Sequence, residues 1–317
     1  MNNKSGKIIL SIILIVVSYG FVIYKIIKFE ELREIKFSEA FQSGNNLFLL
    51  TSVLILMLFN WSLETIKWKI LIHKIENFSF ISALKAVFSG ITIGIFTPNR
   101  IGEIGGRIIF LDKGKRTYGL LATSLGSFAQ LITTIINGLT AFALLLLLFP
   151  ERTDVNSIFN KISAIIVSIL LIVFIWLYFN FKLIKPVLLR FSFFKTREEQ
   201  LNYFSETQFF LLFKALVLSL VRYGVFITQF FLLLLFFKIE LSFIQAYISI
   251  GLIYLFASLI PTTTLVELGI RGSLSIFFIG MFSENILGIV LATTILWIIN
   301  LAIPSVIGSV FLIKKNL

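Results

Sequence analysis

Cysteine is absent from this chain, and histidine occurs once, at His73. The first absence excludes a disulfide framework and thiol chemistry. Together the two leave no His/Cys set with metal-ligand spacing, so metal hydrolase and cysteine-enzyme readings fall away. Charge is scarce as well. Only 14% of the 317 residues are charged while 58% are hydrophobic, which leaves no stretch for a soluble catalytic domain. Bases outnumber acids by 28 to 16, a formal charge of +12 that would suggest nucleic acid in a soluble protein. Here the bases gather in loops between apolar runs, which is an orientation signal, so nucleic acid is not expected as a partner. What is abundant is apolar length, and it assigns an all-α, polytopic integral membrane protein.

A helix needs about 20 apolar residues to cross about 30 Å of hydrocarbon. Six runs meet that requirement, near residues 8–27, 47–66, 118–148, 157–180, 208–237 and 286–313. The first has no small-residue cleavage site after it and reads as a retained helix. Two more apolar stretches, 81–111 and 243–282, are interrupted by Pro98 and Pro261. Proline removes a helix hydrogen bond and disfavours helix at the residue before it, so each stretch reads as two half-helices meeting at a break.

Basic clusters at Lys4 and Lys7, Lys67 to Lys74, Lys113 to Arg116, Lys182 to Arg197 and Lys314 with Lys315 are expected on the cytoplasmic side. The segments 30–39, 151–154 and 283–285 lack a basic excess and are expected outside. Both termini then face the cytoplasm. The two broken stretches each enter and leave on one side, 81–111 from the cytoplasm and 243–282 from outside. Opposed re-entrant hairpins satisfy this, and so would two complete spans apiece. Irregular backbone at membrane depth is tolerated where it is buried in protein or lines a water-filled cavity, so two such breaks predict a polar cavity.

The halves also resemble each other. Ser79, Phe80, Ile81 and Ala83 match Ser242, Phe243, Ile244 and Ala246, and each serine precedes its proline by the same interval. Leu121, Ala122 and Thr123 match Leu291, Ala292 and Thr293, with Gly138 and Gly308 equally far downstream. The chain therefore reads as one membrane domain, 1–317, with repeats at 45–149 and 207–313 joined by a helix and cytoplasmic loop at 150–206. Since one copy begins outside and the other inside, the repeat is inverted, an arrangement that places transporter sites near the midplane at broken helices.

The breaks carry the site candidates: TPNRIGEIGGR at Thr97 to Arg107 and IPTTTLVELGIR at Ile260 to Arg271. Ionisable groups in lipid cost about 2.5–3.5 kcal/mol each on insertion scales, so their appearance in both halves requires a reason. With Pro98 and Pro261 as first helical residues, two helix N-termini point into the membrane, and their free amides and positive dipole ends favour an anion. Asn99, Arg100, Thr262, Thr263 and Thr264 would then lie in or beside the first turns, placed to hold phosphate oxygens. The competing reading is that the threonines only cap the helix while Arg100 snorkels or pairs with Glu103. Glu103 with Arg107, and Glu267 with Arg271, stand one turn apart in the favourable order. They serve as staples that avoid unpaired charge, as carboxylates that change partner or protonation during transport, or as partners of a cationic head group. Gly102, Gly105 and Gly106 are expected to allow close approach to neighbouring helices. Glu64 and Arg222 are further candidates for the cavity, although solvation at a basic helix end would also account for Glu64. Gln130, Thr134 and Asn137 fall along one span, either lining a pathway or hydrogen-bonding between helices.

The two motifs resemble those of the membrane region of lysylphosphatidylglycerol synthases, the flippase-like domain, from about residue 45 to the end. The family pattern is roughly Pro-x-x-x-Gly-Glu/Asp followed by Arg, and later Pro-x-x-x-Gly-x-x-Glu. This chain departs in the second motif, with Thr262 to Thr264 after its proline. The resemblance implies a multispanning protein of the bacterial inner (plasma) membrane that moves aminoacylated or other polar lipids between leaflets. The family's cytosolic aminoacyl-transfer domain is absent, so no enzyme activity, catalytic residue or cofactor is expected. The expected function is a lipid flippase-like transporter for a phospholipid, aminoacyl-phospholipid or polyprenyl phosphate, with membrane lipid as partner. The alternative is a non-transporting subunit that presents lipid to a glycosyltransferase or aminoacyltransferase. Association with such an enzyme or with a second copy of the chain stays open.

Overall fold

A computed structural model describes residues 44–97, 100–152, 157–180, 209–260 and 264–316, with a few isolated positions between 181 and 208. Every regular element among them is helical. The expected span at 8–27 and most of the basic loop at 182–197 lie outside the described residues, as do Pro98, Asn99, Pro261, Thr262, Thr263 and the side chain of Thr264.

The first half supplies α1 (Gly44–Ile72), α2 (Phe80–Gly94), the short α3 (Gly102–Ile108) and α4 (Arg116–Leu148). Helix α5 (Ser157–Phe179) follows. The second half supplies α6 (Phe209–Phe236), α7 (Phe243–Leu259), α8 (Thr264–Gly280), α9 (Ile286–Trp297) and α10 (Ile303–Asn316). Four stretches are long and apolar enough to cross a membrane: 46–72, 113–148, 209–236 and 286–314. These coincide with four of the expected spans. Their outer faces carry exposed Leu, Ile and Phe, as on α1 at Leu54, Ile55, Leu58 and Phe59, which only a hydrocarbon solvent would favour at such density.

Local chemistry accounts for the helix starts. Ser79 accepts a hydrogen bond from the Ser82 amide at the start of α2. Ser242 accepts from Gln245 N at the start of α7, and its own amide donates to Gln245 Oε1, completing a capping box. The matched serines thus do the same work in both halves. Between α9 and α10 the helix widens into a π-helical turn, Ile298–Ala302. Pro304 lacks the amide that would reach back to Asn300, and its ring crowds that carbonyl, so the ladder re-registers there and one chain crosses as α9 and α10.

Helices α1 and α6 pack along each other at the centre. Around them α2 lies against α10 and α7 against α4, while α1 touches α4 as α6 touches α9. Two glycines set the closest of these approaches. A Cβ on Gly308 of α10 would lie 2.1 Å from the Phe88 carbonyl oxygen of α2, and one on Gly138 of α4 would lie 2.5 Å from Leu255 Cβ of α7. Within the first hairpin, a Cβ on Gly106 would lie 2.6 Å from Gly90 Cα, so α3 folds back onto α2 in backbone contact. Gly102 is similarly enclosed, whereas Gly105 has open space around it and does not serve the close packing expected of it.

Candidate functional site

One polar residue from each hairpin motif, Arg100 and Arg271, meets polar residues of the central helices around one cavity of about 180 Å³. The first hairpin contributes Arg100, α4 contributes Gln130 and Thr134, and α6 contributes Arg222, Tyr223 and Phe226. Tyr254 and Arg271 come from the second hairpin, with Asn60 and Trp61 from α1. The π-helical turn adds Asn300, beside Thr293 and Trp297 of α9. Three guanidinium groups from three separate elements therefore border one space.

Arg100 has φ of 57°, the left-handed region that costs a non-glycine residue on the order of 1 kcal/mol. It precedes α3, which begins at Gly102. The leading amide of α3, on Gly102, donates to Thr97 Oγ1 at 2.7 Å. The α3 start is thus occupied by the chain itself, and the group that the first hairpin offers to the cavity is the Arg100 side chain. Its ion-pair partner is Glu103.

Behind the cavity lies an ionic network. Arg107, buried in α3, places Nη1 2.8 Å from Glu64 Oε1 and Nη2 3.3 Å from Glu103 Oε2. Glu64 Oε2 also lies 2.8 Å from Lys67 Nζ and 3.1 Å from Arg222 Nη1. Lys67 Nζ donates to Ser219 Oγ of α6 at 3.2 Å. One carboxylate on α1 thus joins α1, α3 and α6. Arg222 in turn donates to Asn60 Oδ1 (2.9 Å) and Gln130 Oε1 (3.1 Å), and its guanidinium sits 4.9 Å from the Trp61 ring centre. Asn60 Nδ2 donates to Asn300 Oδ1 at 3.0 Å, tying α1 to the π-helical turn.

The second hairpin is simpler. Arg271 pairs with Glu267 one turn earlier and lies 4.8 Å over the Tyr254 ring of α7. Asn137 accepts from the Tyr247 hydroxyl at 3.1 Å, so it joins α4 to α7, while Gln130 and Thr134 line the cavity. Asn60, Trp61 and Tyr223 line the cavity without being candidates from sequence, whereas the candidates Glu64 and Arg222 join the network and the cavity wall respectively. The available signal was a polar stripe on α1, with Asn60, Glu64 and Lys67 at spacings that share one helix face.

The family model for the Lysylphosphatidylglycerol synthase TM region matches residues 8–308. The chain belongs to this family. That membership and the long apolar helices make it an integral membrane protein with a lipid-related setting. No curated protein matches the chain. Both family motifs, at 97–107 and 260–271, contribute an arginine to the cavity, Arg100 from the first and Arg271 from the second.

Proposed function

We propose that this member of the family moves a lipid with an anionic polar head between leaflets, acting as a transporter and not as an enzyme. The observation that carries the reading is the meeting of Arg100, Arg222 and Arg271 in one cavity walled by helices from both halves. A headgroup there would exchange with the carboxylates that hold Arg100 and Arg271, Glu103 and Glu267, so that no guanidinium is left bare in a low-dielectric interior. The acyl or prenyl chains would stay among the exposed Leu, Ile and Phe side chains of the outer surface.

Alternation between leaflets is supported by the resemblance of the halves. The pairing of α2 with α10 is echoed by α7 with α4, and the matched Gly308 and Gly138 make the closest approach in each. Such pairs fit an inverted repeat whose two hairpins enter from opposite sides, and a repeat of that kind supplies two similar end states.

Reconstitution into proteoliposomes with fluorescent phospholipids and a fluorescent polyprenyl phosphate tests the proposal. Accelerated exposure of at least one anionic lipid is expected, abolished in the Glu103→Gln, Glu267→Gln double variant with the fold retained. No acceleration across the whole lipid range would reject transport. Binding without movement would favour a subunit that presents lipid to another enzyme.

A further inference from the structure

The excess charge around the cavity bears on which headgroup it takes, a question that rests on the lipid reading above. In the linked cluster, Lys67, Arg100, Arg107 and Arg222 stand against Glu64 and Glu103, four cations to two carboxylates. Glu267 and Arg271 balance each other. Arginine stays protonated at any working pH, so the excess cannot be shed by the guanidinium groups. Among the described residues that line the cavity there is no carboxylate, and three are arginines.

Two neutral donors point the same way. Trp61 Nε1 and the Tyr223 hydroxyl belong to cavity-lining side chains only 3% and 4% exposed, and neither has a hydrogen-bond partner among the described residues. Buried donors without acceptors are costly, so an anion that brought its oxygens to them would relieve that cost. The volume of about 180 Å³ falls below the roughly 300 Å³ at which drug-sized sites begin. It suits a phosphate with some of its water better than an aminoacylated glycerol head.

We infer that the cavity selects a terminal phosphate monoester, and discriminates against phosphodiesters and against headgroups that carry an ammonium. A monoester brings close to two negative charges above its second pKa of about 6, enough to neutralise the excess, and three oxygens for the donors. A diester brings one charge. An ammonium adds to the excess and meets no carboxylate on the cavity wall.

Equilibrium binding to the purified full chain in nonionic detergent at pH 8, followed by tryptophan fluorescence, tests this with probes that share one hydrocarbon chain. Farnesyl phosphate should bind about tenfold or more tightly than methyl farnesyl phosphate, the difference expected of one further charge in a partly desolvated site. Farnesylamine should not compete. Gln130→Glu, which sets a carboxylate where Arg222 already donates, should remove most of the preference for the monoester while keeping diester binding. Equal affinities for monoester and diester would overturn the inference even if the vesicle assay succeeds. Inorganic phosphate competing as well as farnesyl phosphate would uphold the selectivity and overturn the lipid reading instead.

Discussion

Glu64→Gln is the most informative single perturbation of the network. The carboxylate is buried and forms ion pairs with Lys67, Arg107 and Arg222 at 2.8 to 3.1 Å. The amide is nearly isosteric, so packing is preserved while the excess of buried positive charge rises from two to three. Removing one partner of a buried ion pair costs about 3–5 kcal/mol, because the other charges stay behind without compensation. At about 2 °C per kcal/mol for a large domain, the apparent Tm should fall by roughly 6–10 °C. The assay is thermal unfolding of the detergent-purified protein at a fixed scan rate, with variants compared side by side. Adding Lys67→Met to Glu64→Gln removes one of the stranded cations and should recover part of the loss, an interaction that the double-mutant cycle measures directly. A Glu64→Gln protein that melts within 1 °C or so of the parent, roughly the shift of half a kcal/mol, would refute the claim that this carboxylate holds α1, α3 and α6 together.

Other perturbations separate the remaining parts of the structure. Gly308→Ala would put a methyl group on the Phe88 carbonyl and should cost about 1–3 kcal/mol through separation of α10 from α2. Gly105→Ala meets nothing and should be neutral or stabilising by up to about 1 kcal/mol, so equal Tm shifts for the two would contradict the packing. Arg222→Lys keeps the charge but loses the fork that reaches Asn60, Gln130 and Glu64 together, and should lower vesicle transport about tenfold or more. Unchanged transport would make Arg222 a charge and nothing more. Because the chain has no cysteine, single cysteines at Asn99 and Thr263 report sidedness without background. Labelling of Asn99→Cys from the cytoplasm and Thr263→Cys from outside is expected, and same-sided labelling would defeat opposed hairpins.

Much of the fold is legible because hydropathy and proline act locally. Four spans fall within a few residues of the apolar runs that predict them, since helix length in a bilayer is set by the chain's own hydrophobic extent. The break in the first hairpin is legible too, with α2 ending at Gly94 and α3 starting at Gly102. What the proline does not reveal is where the second half-helix begins. The left-handed turn at Arg100 and the hydrogen bond from the Gly102 amide to Thr97 lead into α3, and both depend on side-chain geometry beyond the motif. The π-helical turn at Ile298–Ala302 follows from Pro304, but only packing against α1 shows that it carries Asn300 to Asn60.

The site divides along the same line. Pairs one turn apart, Glu103 with Arg107 and Glu267 with Arg271, can be read from spacing because a helix brings such residues together by itself. Long-range partners cannot, and they are what make the two motifs differ. Arg107 is held by a second carboxylate, Glu64 of α1. For the second half the corresponding central helix, α6, carries no acid in its whole length and instead contributes the cation Arg222. The second motif therefore gains no carboxylate from the central helix of its own half, whose Arg222 instead pairs with Glu64 of α1. The first arginine of that spacing becomes a buried anchor, and the second, Arg271, is left beside the cavity with one carboxylate and an aromatic face. The net positive charge of the cavity follows from this difference between α1 and α6, and neither motif contains it alone.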